Sequence, residues 1–209
     1  MSNFRIKYIS NILNRLQFDT MLDIGCRDCS LRHEIDKFVQ NNNREGYFGC
    51  DLFQNSADSV KYVGNVMDMD FDRKFDCITA LDIVEHVDNP HKLVDKIFFL
   101  SNKYVVLSLP NCYDIRHKFL FCFKETLGNK YAFRTSGSLD RHRWVMNYDE
   151  IVVFYKYYAN KFNYNLIIST IPTGSDNTKL INKIILWFLK FLVSKKSMTN
   201  TVVGVFTKS

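Results

Sequence analysis

Short apolar stretches alternate with amphipathic stretches along the first half of the chain. The amphipathic stretches have helical spacing, and they predict helices over residues 4–16, over residues 31–39, and after the pair Asn89-Pro90. The apolar stretches predict five strands, at residues 21–24, 47–50, 61–63, 75–80 and 104–109. Continuous apolar strands that alternate with helices are typical of a parallel sheet covered on both faces.

The pattern changes in the second half of the chain. Residues 113–147 are rich in His, Lys, Arg and Phe and show no regular period, which favours an insertion over the carboxyl edge of the sheet. Such an insertion forms a substrate pocket or a lid. A helix over 148–162 and strands over 166–171 and 201–207 are predicted to complete the domain.

Residues 179–193 predict one further, strongly apolar helix before the last strand. It is too short to span a membrane, and its Lys183 and Lys190 share one face. Three interpretations stay open at this point. The helix lies on a membrane surface, it forms a homodimer face or the roof of the substrate pocket, or it packs on its own domain.

Composition favours one globular domain over residues 1–209. Apolar residues make up 46% and charged residues 24% of the 209 positions. The net charge of +6 is scattered, so a nucleic-acid partner is not expected. The N-terminus lacks the apolar core of a signal peptide, which favours a cytoplasmic protein with reduced thiols, or one that is peripherally associated with a membrane.

Cysteine spacing offers a weak metal signal. The chain contains six cysteines, and Cys26 and Cys29 form a C-x-x-C with His33 nearby. Because no second pair of ligands is visible, we expect no metal.

Two motifs predict a nucleotide-like ligand. Gly25 follows the first strand, in the stretch MLDIGCRDC, and Asp51 follows the second. A glycine there lets the backbone approach a ligand, and an acidic residue after the second strand accepts hydrogen bonds from ribose hydroxyls. The Gly-x-Gly-x-x-Gly of nicotinamide enzymes is absent, because residues 25–30 read GCRDCS. The pair therefore indicates an adenosine-containing cofactor other than NAD.

Together these motifs resemble class I S-adenosylmethionine-dependent methyltransferases, and within them the ubiquinone-biosynthesis O-methyltransferase group. The resemblance covers residues 5–111, through LDIGCRDC, the acidic Asp51, GNVMDMDF, FDCITALDIVEHVDNP and LSLPN. It implies a Rossmann-like fold with a seven-stranded sheet, order 3-2-1-4-5-7-6, in which the last strand is antiparallel. The chain departs from the family at two usual glycines, which are here Arg27 and Cys29.

The resemblance also implies roles in cofactor binding. Gly25, with Asp23 behind it, carries the methionine part, and Asp51 with Leu52 lies at the ribose. Asn65 and Val66 face the adenine, and Leu81 lines the methyl end. Arg5 or Arg27 reaches the carboxylate of S-adenosylmethionine.

The expected reaction is methyl transfer to a hydroxyl of a small molecule, sugar, glycan or lipid-linked precursor. Removing the hydroxyl proton requires a nearby base. His142 and His86 are the preferred candidates, and the other candidates are Glu85, Asp114 and His117. The alternative is a cofactor-free scaffold or binding protein that retains the fold.

Overall fold

The computed structural model describes residues 3–36, 38, 46–132, 135, 141–175 and 193–209. Seven strands form one sheet in the order β3-β2-β1-β4-β5-β7-β6. This order confirms the predicted topology. The strands are β1 Met21–Ile24, β2 Tyr47–Asp51, β3 Tyr62–Val63, β4 Phe75–Leu81, β5 Ser101–Pro110, β6 Tyr164–Pro172 and β7 Thr199–Lys208.

Strand β1 lies at the centre of the parallel part of the sheet. It pairs with β2 on one side and β4 on the other, with Asp23 opposite Gly49 and Thr79. The carboxyl ends of β1, β2 and β4 therefore meet at one edge, where α/β sheets bind their ligands. Strand β7 pairs antiparallel with both β5 and β6, as expected.

Four α-helices accompany the sheet among the described residues: α1 Asn3–Leu13, α2 Pro90–Leu100, α3 Ile115–Lys124 and α4 Tyr148–Phe162. Asn89 caps α2 by accepting a hydrogen bond from the Lys92 amide, and Pro90 occupies its first turn, as predicted. Asn147 and Glu150 form a capping box at α4. Two buried apolar clusters cover the two faces of the sheet.

Several strands extend one to three residues beyond their predicted bounds, and three other predictions differ more clearly from the structure. Helix α1 ends at Leu13 rather than residue 16, because its last turn tightens into i to i−3 hydrogen bonds. The stretch after β1 is a 3-10 helix, Ser30–Glu34, and Ile35 is extended, so a helix does not run continuously from residue 31. Helix α3 lies in the insertion that was predicted to be irregular.

The apolar helix predicted over 179–193 lies outside the described residues, except for its last position. None of the helices described is both long enough and apolar enough to cross a membrane.

Candidate functional site

A small cavity lies beyond the carboxyl end of β1. Its volume is about 80 Å³, and its lining includes Asp23, Gly25, Arg27 and Leu81 of the residues expected to bind the cofactor. Asp82 at the end of β4 and Ile6 of α1 complete this end of the lining. Ligand pockets usually measure roughly 300 Å³ or more, so a nucleoside needs more room than this conformation provides.

Ile83 accounts for much of the missing room. Gly25 has a φ of 74°, in the left-handed region that favours glycine. A Cβ at Gly25 would lie 2.1 Å from the Cδ1 atom of Ile83, so the isoleucine side chain fills the space over the glycine. A cofactor that passes over Gly25 must displace this half-buried side chain.

Asp23 has a structural role in this site. One of its carboxylate oxygens accepts a hydrogen bond from the Tyr47 hydroxyl at 2.5 Å, and the other accepts one from Thr79 at 2.6 Å. These bonds tie β1 to both of its neighbours. Burial is the main cause that raises the pKa of Asp23 to about 6.

Asp51 lies at the end of β2 with one oxygen turned toward the β1 turn. Its Oδ2 atom accepts a hydrogen bond from the Arg27 amide at 2.8 Å. The Asn55 side chain donates to the Arg27 carbonyl at 2.8 Å and so holds the same loop. The neighbouring Leu52 is 59% exposed, an apolar surface beside the acidic residue.

The two residues expected to face the adenine do not line the cavity. Asn65 caps the short 3-10 helix Val66–Asp68, where its side chain accepts from the Met67 amide at 3.1 Å. It also donates to the Asp68 carboxylate at 2.7 Å. Val66 is buried in the core. Their roles in cofactor binding stay predictions.

Arg5 contacts the end of β4. Its guanidinium forms an ion pair with Asp82 and donates to the Asn200 side chain at 3.0 Å. Asp82 also accepts from the Ser108 hydroxyl at 2.7 Å and has a φ of 55°. In this conformation Arg5 therefore orients Asp82, and the predicted contact with a cofactor carboxylate requires another arrangement.

The two histidines predicted to be catalytic lie together. The rings of His86 and His142 are 4.7 Å apart at 86°, an edge-to-face arrangement. The Nε2 atom of each lies 3.8 Å from Glu85 Oε1. Each of the three residues offers one potential ligand atom, and these three atoms all lie within 4.8 Å of one another.

Glu85 is fully buried in this group. Neither of its carboxylate oxygens has a hydrogen-bond partner among the described residues. Burial, followed by the charge of Asp82, raises the pKa of Glu85 well above its ordinary value. A buried carboxyl group without a partner is costly, so this position calls for a proton or a cation.

Backbone contacts hold the segment with His142 against the loop after β4. The Arg143 amide donates to the Glu85 carbonyl at 2.8 Å, and the Trp144 indole donates to the Val87 carbonyl at 2.8 Å. Arg143 also forms an ion pair with Asp88. These contacts fix His142 beside Glu85. The spacing of the two residues in the sequence does not predict this proximity.

Asp114 and His117, two further candidate bases, have structural roles. Asp114 is buried and caps α3 by accepting from the Arg116 and His117 amides. Burial raises its pKa, but hydrogen bonds from His117 and the Arg116 charge outweigh this effect and lower the pKa to about 2. The His117 ring is 2.9 Å from the same carboxylate. Neither group lines the small cavity at β1.

Cys26 and Cys29 are adjacent, with their sulfur atoms 3.4 Å apart. The hydrogen bond between the two thiols is the main cause that lowers the pKa of Cys29 to about 6, while the same bond and burial raise the pKa of Cys26. No third metal-binding side chain joins them among the described residues. The described metal-capable group is instead Glu85, His86 and His142.

A larger cavity of about 760 Å³ lies beside α4, between Tyr148 and Lys118. None of the residues expected to bind the cofactor lines it. Its size therefore does not identify it as the cofactor site.

Sequence reasoning missed three contributors to the site. They are Ile83, which covers Gly25, Asp82, which pairs with Arg5, and Tyr131, which contacts His142. The D-x-x-E-H spacing of residues 82–86 carried a signal for Asp82, because it places two carboxylates and an imidazole in one loop after a strand. No sequence signal connects that loop with Tyr131.

Residues 2–152 match a family model described as a methyltransferase domain. No curated protein sequence matches the chain. Among solved structures, the methyltransferase domain of the bacterial protein CtHen1-C is similar with a TM-score of 0.59 and 15% identity, over 98% of this chain and 97% of that one.

Two further structures are similar. The small RNA methyltransferase HEN1 has a TM-score of 0.66 at 14% identity, over 98% of this chain and 25% of that one. Magnesium protoporphyrin IX methyltransferase from Synechocystis PCC 6803, with bound S-adenosylhomocysteine (SAH), has a TM-score of 0.56 at 10% identity, over 98% of this chain and 82% of that one. At these identities the similarities show the fold.

Proposed function

We propose that this chain methylates a hydroxyl of a small molecule or glycan. The premise is that the chain belongs to the methyltransferase-domain family and uses S-adenosylmethionine as its methyl donor. Methyl transfer is an in-line displacement in which a neutral thioether leaves, so the protein mainly aligns the nucleophile, the methyl carbon and the sulfur. Asp51, Gly25 and Leu81 are the residues proposed to set this alignment.

The observation that carries the proposal is the position of His142 and His86. The loop that contains His86 begins at Asp82, which lines the end of the small cavity beside Leu81, and the segment with His142 packs against this loop. Two imidazoles at this end suit an acceptor that must lose a proton when it attacks, as a hydroxyl does. A thiol or amine acceptor needs this help less.

The family membership favours the enzyme over the cofactor-free scaffold, although the cavity of about 80 Å³ has to open. Ile83 and the Arg5–Asp82 pair are the groups whose movement enlarges it. A thermal-shift titration with SAH tests the choice, because a ligand that binds only the folded state must raise the Tm. No shift at millimolar concentrations favours the scaffold.

The acceptor is tested with methyl-labelled S-adenosylmethionine and a panel of hydroxyl compounds. The panel contains sugars, sugar nucleotides, lipid-linked glycans and, because two similar structures are named for RNA methylation or Hen1, an RNA oligonucleotide. We expect label in a methyl ether of a small molecule or glycan. Label only in RNA, or on nitrogen or carbon, would contradict the proposed acceptor class.

A further inference from the structure

The carboxylate of Glu85 has an environment that neither packing nor hydrogen bonding explains. It is fully buried, and both of its oxygens lack hydrogen-bond partners among the described residues. Two imidazole nitrogens, one each from His86 and His142, lie 3.8 Å from its Oε1 atom. This distance is too long for a hydrogen bond, and it is close to the spacing of two ligands that share one ion.

The hydrogen bonds around His142 select the tautomer that binds metals. Cys112 Sγ donates to the Pro110 carbonyl at 3.7 Å, so it accepts from the Tyr131 hydroxyl at 2.8 Å. The Tyr131 oxygen then accepts from His142 Nδ1 at 2.9 Å. The neutral ring consequently carries its proton on Nδ1 and its lone pair on Nε2, the atom nearest Glu85.

We propose that Glu85, His86 and His142 bind a divalent transition-metal ion beside the methyl end of the cofactor site. Two imidazoles and one carboxylate suit Mn²⁺, Fe²⁺, Co²⁺ or Zn²⁺ rather than Mg²⁺ or Ca²⁺, which prefer oxygen ligands. Bonds of about 2.1 Å in a tetrahedral site place ligands about 3.4 Å apart, so the present spacings, which are 3.8 Å to Glu85 and within 4.8 Å overall, would close by at most about 1.4 Å.

The role of the ion rests on the proposed function. Three protein ligands leave a coordination position for the acceptor oxygen. A hydroxyl that binds there is acidified and loses its proton to water, as metal-bound water does. Its lone pair forms the O–CH₃ bond while the C–S bond breaks with both electrons on sulfur. The products are a methyl ether, SAH and the released proton, and the charge of the ion is unchanged.

Cobalt provides a direct probe that does not depend on activity. The untagged, chelator-treated chain is titrated with Co²⁺ under reducing conditions, and its visible absorption spectrum is recorded. We expect one Co²⁺ per chain, with a spectrum of nitrogen and oxygen ligands and no thiolate charge-transfer band. Absence of binding, or a thiolate band from Cys26 and Cys29, would overturn the proposal.

Variants assign the ligands. Glu85→Gln and His142→Ala should weaken Co²⁺ binding by at least about 100-fold, and Tyr131→Phe, which removes the hydroxyl that orients His142, by about 10-fold. The control His33→Ala changes an exposed histidine and should leave the affinity unchanged. If Glu85→Gln fails to fold, His142→Ala decides the result. Unchanged affinity in the folded ligand variants would overturn the site.

Binding of SAH is measured on the same samples. If only this inference is wrong, the wild-type chain should bind SAH but not Co²⁺. If only the proposed function is wrong, the wild-type chain should bind Co²⁺ but not SAH.

Discussion

The carboxylate of Glu85 and the imidazole of His142 lie 3.8 Å apart, although one follows β4 and the other precedes α4. The Arg143 amide fixes this approach by donating to the Glu85 carbonyl. The insertion thus places an imidazole, a candidate base or metal ligand, beside the end of the strand where the methyl group is expected. This is the arrangement on which the proposed chemistry depends.

Replacing His142 with alanine should lower kcat by about 100-fold or more, because assistance in removing the acceptor proton, by a base or through a bound ion, contributes roughly that factor. The affinity for SAH should stay near that of the wild type, since His142 does not line the cavity at β1. Steady-state kinetics and calorimetry separate the two effects. His33→Ala is the matched control, and an unchanged kcat in His142→Ala would remove this histidine from the site.

Replacing Asp51 with alanine should weaken SAH binding by about 10-fold or more, because hydrogen bonds to a charged group contribute about 1.5–3 kcal/mol. Asp70→Ala is the control, since Asp70 is an exposed aspartate in a different loop. Calorimetry measures both variants. Equal affinities for Asp70→Ala and Asp51→Ala would argue against a ribose at Asp51.

Gly25→Ala should lower both the free energy of unfolding and the affinity for SAH. The new Cβ would clash with Ile83 at 2.1 Å, in addition to the strain of about 1–2 kcal/mol for a side chain at positive φ. Gly128→Ala provides the control, because Gly128 has a φ of 93° and its nearest neighbour would be 4.0 Å away. Denaturant unfolding should show a larger loss for Gly25→Ala. Equal losses in the free energy of unfolding would mean that the Ile83 side chain moves aside without a measurable energetic cost.

The pH dependence of stability should contain a contribution from Asp23. Its pKa in the folded protein, about 6, is above its ordinary 3.8. The folded state therefore favours the protonated carboxyl, and this stability is full below about pH 4 and lost as the pH rises through about 6. The difference corresponds to roughly 3 kcal/mol.

Asp23→Asn should remove this contribution. Urea unfolding at several pH values between about 4 and 6 compares the two proteins, and the wild type should lose stability relative to the variant as the pH rises. Parallel curves would show that Asp23 titrates normally in the folded chain.

The sheet order was predictable because strand patterns and a family resemblance both depend on local sequence. Buried strands such as β4 and β5 contain nearly continuous apolar runs, and Asn89-Pro90 and Asn147 are local helix signals. Helix α3 was missed because its apolar residues 119–123 form a continuous run instead of recurring at helical spacing, and none of its residues is buried. Its cap, Asp114, was instead interpreted as a candidate base.

The site was predictable only in part, since it depends on contacts between distant segments. Both Arg27 and Cys29, which replace usual family glycines, adopt the left-handed conformation, with φ of 51° and 55°. This turn therefore contains left-handed positions that are not glycine, which its sequence alone does not reveal. The cover of Ile83 over Gly25 and the approach of His142 to Glu85 arise from tertiary packing, and residue spacing does not encode them.

A crystal structure of the chain with SAH most directly tests whether the nucleoside binds where β1 and β2 end. We predict that the ribose hydroxyls donate to Asp51, that Ile83 has moved from Gly25, and that the sulfur points past Leu81 toward Glu85 and His142. A nucleoside in the cavity beside α4, or Asp51 turned away from the ribose, would contradict this account.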